Sequence, residues 1–204
     1  MKNLLRLATA TLAVALTASA ALAAPVKFSL DRAHTEIGFD VRHFFSKVHG
    51  RFNDFDGTIV FDDKDPSKIS IEGTAKTSSI STDNERRDNH LRSADFFDAE
   101  KYPELTFKST KVTANGKNKY KVAGDLTLRG VTKPVVFDAE FLGMGSTGPM
   151  GVKAGFTATT VVDRQDFGIS WNKTLDNGGL MLGDDVTLVL NIEGNEVKDE
   201  GASK

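Results

Sequence analysis

Residues 120–141 of the chain read YKVAGDLTLRGVTKPVVFDAEF, and this stretch decides the expected fold. Apolar or small residues occupy every second position over 120–128 and again over 135–141. Such alternation gives a β-strand one apolar face and one solvated face. The short reversal at 129–134 ends with Pro134 at a strand start, where its missing N–H is tolerated. The stretch therefore predicts two antiparallel strands that bury one shared face.

The same alternation recurs along most of the chain. It is found at 37–41, 69–75, 105–107, 154–158 and 186–192, and shorter runs at 27–31 and 52–61 extend the series. Many antiparallel strands with one apolar face each must pair as a sandwich or close as a barrel. Long strands and small inward residues such as Gly73, Ala75 and Gly124 favour a barrel of about eight strands. The glycines could also mark bulges in a filled core, and that alternative stays open.

One long interruption separates the strand signals, at residues 82–109. Its first half, 83–88, is charged and compatible with a helix, and its second half carries the aromatic pair Phe96 and Phe97. A charged helix that ends in an aromatic pair is typical of a cover or side wall over an apolar opening. We therefore expect a short helical segment, inserted between strands, at an open end of the fold.

The N-terminus has the pattern of a cleavable export signal. Lys2 and Arg6 form a basic segment, an apolar run follows, and residues 21–23 form an A-x-A cleavage site. The pattern predicts a signal peptide at 1–23, cleavage after Ala23, and a single domain at 24–204 in the periplasm. The apolar run is short for a membrane span, so we expect no stable membrane insertion.

Charge and cysteine content exclude several classes of function. Loss of Lys2 and Arg6 lowers the basic residues from 26 to 24 against 28 acidic residues, which leaves a net charge of about −4. A mildly acidic chain without a basic run argues against a nucleic-acid partner and against electrostatic docking of the whole surface to anionic lipid. The chain contains no cysteine, so thiol chemistry and zinc–thiolate sites are excluded.

Five ordered motifs resemble the YceI-like family, an exported lipocalin-like group associated with binding polyisoprenoids. They are Asp31-x-x-His34-Thr35-x-Ile37-x-Phe39-x-Val41-x-His43, Arg87-Asp88-x-His90-Leu91, Asp95-Phe96-Phe97-Asp98, Gly124-x-Leu126-x-x-Arg129-Gly130 and Asp163-Arg164-x-Asp166-Phe167-Gly168. The resemblance implies an all-β fold, an extended antiparallel lipocalin-like barrel with a helical segment beside it. It also implies a long apolar cavity for an isoprenoid or other long-chain amphiphilic lipid, of polyprenyl or quinone type. An open-ended barrel could share its mouth with a second copy, so a homodimer is a further hypothesis.

The apolar residues supply the candidates for such a cavity. Fourteen Phe against two Tyr indicates a dry interior, because buried Tyr needs a hydrogen-bond partner and Phe does not. The predicted ligand-binding residues are Phe39, Val41, Phe52, Phe96, Phe97, Phe107, Leu126, Phe137, Phe156, Phe167 and Trp171.

The polar head of an amphiphile needs different residues. Arg86, Arg87 and Arg92 lie beside the aromatic pair, and Arg164 lies in a late loop. Arginine suits phosphate geometry, so these four are the predicted head-group residues, although a surface salt bridge is the commoner role for any one of them.

Catalysis and metal binding have weaker support. The histidine spacings match no metal motif, and no G-x-S-x-G nucleophile elbow occurs. We therefore expect a non-catalytic protein without a metal or cofactor. Two alternatives stay open: a metal- or His-dependent envelope enzyme that uses His34, His43 and His90, and a packed-barrel stress adaptor.

Overall fold

The computed structural model describes residues 25–176 and 178–198. The predicted signal peptide and its cleavage point lie outside these residues and stay a prediction. The elements in chain order are β1 (Val26–Leu30), β2 (Glu36–His43), β3 (Ser46–Phe52), β4 (Phe55–Phe61), β5 (Ser70–Lys76), β6 (Ile80–Ser81), α1 (Glu85–Arg92), β7 (Glu104–Ala114), β8 (Lys119–Leu128), β9 (Val131–Ser146), β10 (Val152–Asp163) and β11 (Leu182–Glu196).

The eleven strands form one antiparallel sheet that closes into a barrel. Their order is β1-β4-β5-β7-β8-β9-β10-β11-β2-β3-β6, and β1 also pairs with β11, which closes the ring. β1 and β2 pair with different lengths of β11, so they act as two parts of one long strand. β4 and β3 likewise act as two parts of the neighbouring long strand, and β5 and β6 act as two parts of the strand after it. The ring therefore has eight positions, which confirms the predicted lipocalin-like barrel.

The break between β1 and β2 lies at residues 31–35. Leu30 pairs with Gly194 and Glu36 pairs with Asn191, so both halves stay in line on β11. The backbone N–H of Asp31 continues the pairing by donating to the carbonyl of Glu193 at 2.8 Å. The break therefore bends the long strand without detaching it from its neighbour.

The described residues contain one α-helix, α1, which lies between β6 and β7. Asn84 caps it, because its side chain accepts a hydrogen bond from the backbone N–H of Arg87 at 3.0 Å. The buried Asp88 accepts from the backbone N–H of Thr82 at 2.8 Å and from the Thr82 hydroxyl. Arg92 then ties the end of the helix to the carbonyl of Ile80 at 3.1 Å. These bonds confirm the expected inserted helix and hold it against the sheet.

One part of the barrel is filled by aromatic rings. The ring centroid of Phe61 lies 4.4 Å from that of Phe141, 5.2 Å from that of Phe156 and 6.0 Å from that of Tyr120. Phe28 closes the cluster with an edge contact to Phe156 at 6.4 Å. These edge-on and tilted contacts are the favoured arrangements of packed aromatic rings. The barrel is therefore packed where these rings meet, and its apolar space extends from there toward α1.

Candidate functional site

The barrel encloses an apolar cavity of about 610 Å³. This volume lies within the range of about 300–1,000 Å³ that is usual for small-molecule sites. Residues of β2, β5, β7, β8 and β11 form much of the walls. On β7, β8 and β11 the lining residues alternate, because period-two strands turn every second side chain inward. Phe96, Phe97, Ile169 and Trp171 line it from outside the strands, near α1.

Nine of the eleven predicted apolar residues meet in the lining of this cavity. They are Phe39, Val41, Phe52, Phe96, Phe97, Phe107, Leu126, Phe137 and Trp171. Phe156 lies instead in the aromatic cluster, where its ring contacts Phe61 and Phe141. Phe167 is 2% exposed and packs in a separate core cluster with Leu126 and Val162. Whether the nine residues contact a ligand stays a prediction.

Other lining residues were not predicted as site residues. They include Leu30, Ile37, Ile59, Ile71, Leu91, Leu105, Leu128, Val162, Ile169, Leu182, Val186, Leu188, Leu190 and Ile192. Several of them stand on the alternating face of β11, next to Phe39 and Val41 of β2 across the sheet. The alternation of apolar residues over 186–192 in the sequence is the signal that could have identified the β11 residues as site residues.

A gap in side-chain packing occurs at Gly73, on the wall formed by β5. A Cβ atom built on Gly73 would meet nothing closer than the carbonyl oxygen of Asp56, at 3.8 Å. A Cβ on Gly57, its partner across the sheet, would lie 2.7 Å from the carbonyl of Glu72. Gly73 therefore widens the cavity, whereas Gly57 is required for close backbone packing.

The end of the cavity next to α1 is its mouth, which we define by the partly exposed lining residues His43, Arg86, His90, Trp171 and Met181. The His90 ring packs edge-on against Trp171 with centroids 4.8 Å apart. It also packs against Phe96 at 4.9 Å, and its Nε2 lies 2.8 Å from a carboxylate oxygen of Asp95. The mouth is therefore an aromatic rim with a histidine held in a fixed orientation.

Two of the four predicted head-group arginines line the cavity with free donors. Arg86 is exposed and makes no hydrogen bond or ion pair with any described residue. Arg87 donates from Nε to the Thr82 hydroxyl at 2.7 Å and from Nη2 to the Thr82 carbonyl at 2.9 Å, which leaves Nη1 without a partner among these contacts. Both cations can therefore meet an anionic or strongly polar group at the mouth.

The other two arginines are engaged in the fold. Arg164 is 4% exposed, and its guanidinium donates to the carbonyls of Gly183, Ile169 and Trp171 and to a carboxylate oxygen of Asp184 at 2.7 Å. Arg92 does not line the cavity and holds α1 to the strand before it. These contacts indicate structural roles, and a head-group role for either residue stays an untested prediction.

Among the described residues, one group has the geometry of a metal site, formed by Asp31, His34 and Glu193 at the β1–β2 break. The Lys153 ammonium lies between the two carboxylates, 2.7 Å from Asp31 and 2.6 Å from Glu193. This hydrogen bond from Lys153 holds the pKa of the Asp31 carboxyl well below its usual range. The two carboxylates thus already have a cation partner, and His43 and His90 lie at the mouth rather than in this group.

Within the described residues, no helix is both long and apolar enough to cross a bilayer. The site is an apolar cavity with aromatic side chains in its walls and arginine side chains at one end. Such a lining can hold an apolar chain by burial and a polar group at the mouth by charge.

Comparison with known proteins agrees with this geometry. The model of the YceI-like domain matches residues 28–194. The chain is 43% identical over 187 residues to a UPF0312 protein of Serratia proteamaculans. The aligned residues cover 91% of this chain and 94% of the relative. The Campylobacter jejuni YCEI protein superposes with a TM-score of 0.67 at 35% identity, covering 83% of this chain and 97% of that protein.

A polyisoprenoid binding domain from Saccharophagus degradans, implicated in plant cell wall breakdown, has the same fold. It superposes with a TM-score of 0.65, covering 84% of this chain and 99% of that domain. At 14% identity this likeness concerns the fold alone.

Proposed function

The chain belongs to the YceI-like family, and from this premise we propose that it is a non-catalytic binding protein for an isoprenoid amphiphile. The observation that carries the proposal is the cavity of about 610 Å³, whose lining is almost wholly apolar. The S. degradans domain, which is described as polyisoprenoid binding, supports the choice of ligand class. The cargo would be a lipid of polyprenyl or quinone type with its tail inside the barrel.

Burial of the tail supplies the affinity. Removal of apolar surface from water is favourable by about 25 cal/mol per Å². A tail that buries several hundred Å² therefore gains on the order of 10 kcal/mol before the cost of ordering it. The aromatic walls need no hydrogen-bond partner, so they accept a chain that has no polar atoms to offer.

The head group would lie at the mouth. Arg86 and Arg87 are the two predicted arginines with free donors there, and a phosphate or a quinone oxygen can accept from them. The proposed location is the periplasm, for which the N-terminal sequence pattern is the support.

Extraction of the native protein tests the ligand class. Protein purified from its own host without detergent is extracted with organic solvent, and the extract is analysed by mass spectrometry. We expect a long-chain isoprenoid in near-stoichiometric amount. Recovery of buffer components alone, from protein that remains folded, would contradict the proposal.

Trp171 allows a test in solution. It is the single tryptophan of the chain and lines the mouth, so a bound chain changes its surroundings. Delipidated protein is titrated with geranylgeranyl phosphate while Trp171 emission is followed, and inorganic phosphate is the control. Saturable change with the prenyl phosphate and none with phosphate is the expected result.

The two alternatives have less support. A packed-barrel adaptor predicts an interior without a void, and the cavity counts against it. A His-dependent metal enzyme would draw on His34, His43 and His90, but the metal-like geometry of the described residues joins only His34 with two carboxylates. Metal analysis of purified protein, with His34→Ala as the comparison, tests this second candidate.

A further inference from the structure

The turn between β2 and β3 exposes a phenylalanine. The Phe45 side chain is 96% exposed, and each of the other thirteen phenylalanines of the chain is buried or half-buried. A phenyl ring in water forgoes the burial that stabilises all the others. This ring is therefore available for a contact outside the folded chain.

This turn is attached to the mouth of the cavity. The backbone N–H of Phe44 donates to the carbonyl of Met181, a mouth residue, at 2.8 Å. Arg42 donates from Nη1 to the carbonyl of Phe44 at 3.2 Å and to that of Leu180 at 3.3 Å. Leu180 is itself 42% exposed. Two exposed apolar side chains thus stand next to the cavity opening.

Cations surround these side chains. Arg42, Lys47 and Lys173 are exposed and make no ion pair with any described residue. The chain as a whole is acidic, and Glu85, Asp176 and Asp185 also make no ion pair with a described residue; against these three acids stand the three cations and Arg86, a local excess of one positive charge. We call Arg42, Phe45, Lys47, Lys173 and Leu180 the docking face.

We propose that the docking face seats the mouth on the surface of an anionic lipid bilayer, so that lipid passes between bilayer and cavity without crossing water. The proposal rests on the proposed function and adds the source of the cargo. Exposed apolar side chains flanked by Lys and Arg are typical of proteins that bind at a bilayer interface. Basic residues near an anionic leaflet add an attraction that salt screens.

A bilayer fits this face better than a protein partner does. A stable protein–protein contact buries about 800 Å² on each side around an apolar centre. One phenyl ring, one leucine and scattered cations offer little apolar area for that. Shallow insertion into a lipid headgroup layer needs only a few such side chains.

Sedimentation with vesicles tests the proposal. The full chain is mixed with vesicles of phosphatidylethanolamine and phosphatidylglycerol, or of phosphatidylcholine alone, and the bound fraction is measured. We expect binding to the anionic vesicles, weakened by salt, and about a tenfold loss of affinity in Phe45→Ser. Met150→Ser is the matched control, because Met150 is 70% exposed on a turn outside the cavity lining.

The solution titration separates the two proposals. Phe45→Ser is expected to bind geranylgeranyl phosphate in solution as the unchanged protein does, while transfer of a prenyl lipid from vesicles becomes slower. Unchanged vesicle binding and transfer in Phe45→Ser would overturn the docking face and leave the proposed function intact. Failure of the unchanged protein to bind the prenyl phosphate in solution would overturn the proposed function instead.

Discussion

Gly73 faces the cavity from β5, and its missing side chain is part of the space available to a ligand. The nearest atom to a Cβ built there is 3.8 Å away, so a larger residue at this position extends into the cavity without displacing backbone. A substitution at Gly73 is therefore expected to change ligand binding without changing the fold.

Replacement of Gly73 by leucine tests this. Gly73→Leu is expected to lower the affinity for geranylgeranyl phosphate by about tenfold or more, because the new side chain occupies tail space. Stability should stay the same or rise slightly, since a strand glycine costs backbone entropy. Trp171 titration measures the affinity. Gly145→Leu, at a position with nothing within 4 Å of a Cβ, is the control outside the cavity. Equal affinities in the two variants would contradict the proposed ligand position.

Arg164, a predicted head-group residue that lines the cavity, is by contrast engaged in hydrogen bonds that hold the fold together. Its guanidinium holds the 169–171 segment and the start of β11 together through three carbonyls and Asp184. The sequence showed an arginine in a late loop but not its burial, because burial depends on contacts distant along the chain.

Arg164→Ala is expected to lower the free energy of unfolding by about 3 kcal/mol, because it leaves buried carbonyls and a carboxylate without their donor. Arg86→Ala, at an exposed arginine without hydrogen bonds, should change it by less than about 0.5 kcal/mol. Urea denaturation measures both. A similar small effect for the two variants would contradict the structural role of Arg164.

At the scale of elements, alternation predicted most strands correctly. The runs at 37–41, 120–128, 135–141 and 186–192 all lie in strands of the barrel. Alternation predicts which side chains point into the barrel, but it does not predict their position along the barrel axis. For that reason Phe156 and Phe107 looked equivalent, although one packs in the aromatic cluster and the other lines the cavity.

The ion pairs at the break between β1 and β2 were not predictable from local sequence. They are made by Lys153 of β10, which contacts Asp31 and Glu193 across two strands. Only the closed barrel brings these residues together, so no pattern within residues 27–37 signals the ion pairs.

These ion pairs predict an acid-sensitive stability. The pKa of Asp31 is lowered in the folded protein, chiefly by its hydrogen bond to Lys153. A carboxyl with a lowered pKa contributes stability above its unfolded pKa of about 3.9, and this contribution decreases as the pH falls below that value. The unchanged protein should therefore lose more stability than Asp31→Asn between about pH 7 and about pH 2. Thermal unfolding at the two pH values measures this, and equal losses would show that the pair contributes nothing.

At the scale of the whole molecule, the cavity makes stability depend on the ligand. A ligand that binds only the folded state, present at a hundred times its Kd, stabilises it by about 2.7 kcal/mol. For a chain of this size we expect prenyl phosphate to raise the unfolding midpoint of delipidated protein by about 5–10 °C. Differential scanning calorimetry measures the change, and Gly73→Leu should show a smaller one. An equal rise in both proteins would place the ligand elsewhere.

β11 pairs with β10 on one side and with both β1 and β2 on the other, and it is the last strand that the described chain supplies. The ring therefore cannot close until β11 is available to fold. Before that moment β1, β2 and β10 present unpaired edges, which are the parts of a sheet most prone to aggregation. Pairing of the first strands with the last also requires contacts of high sequence separation, which slow folding. The closed barrel is thus the product of a late step, and the time before that step is when the chain most needs protection.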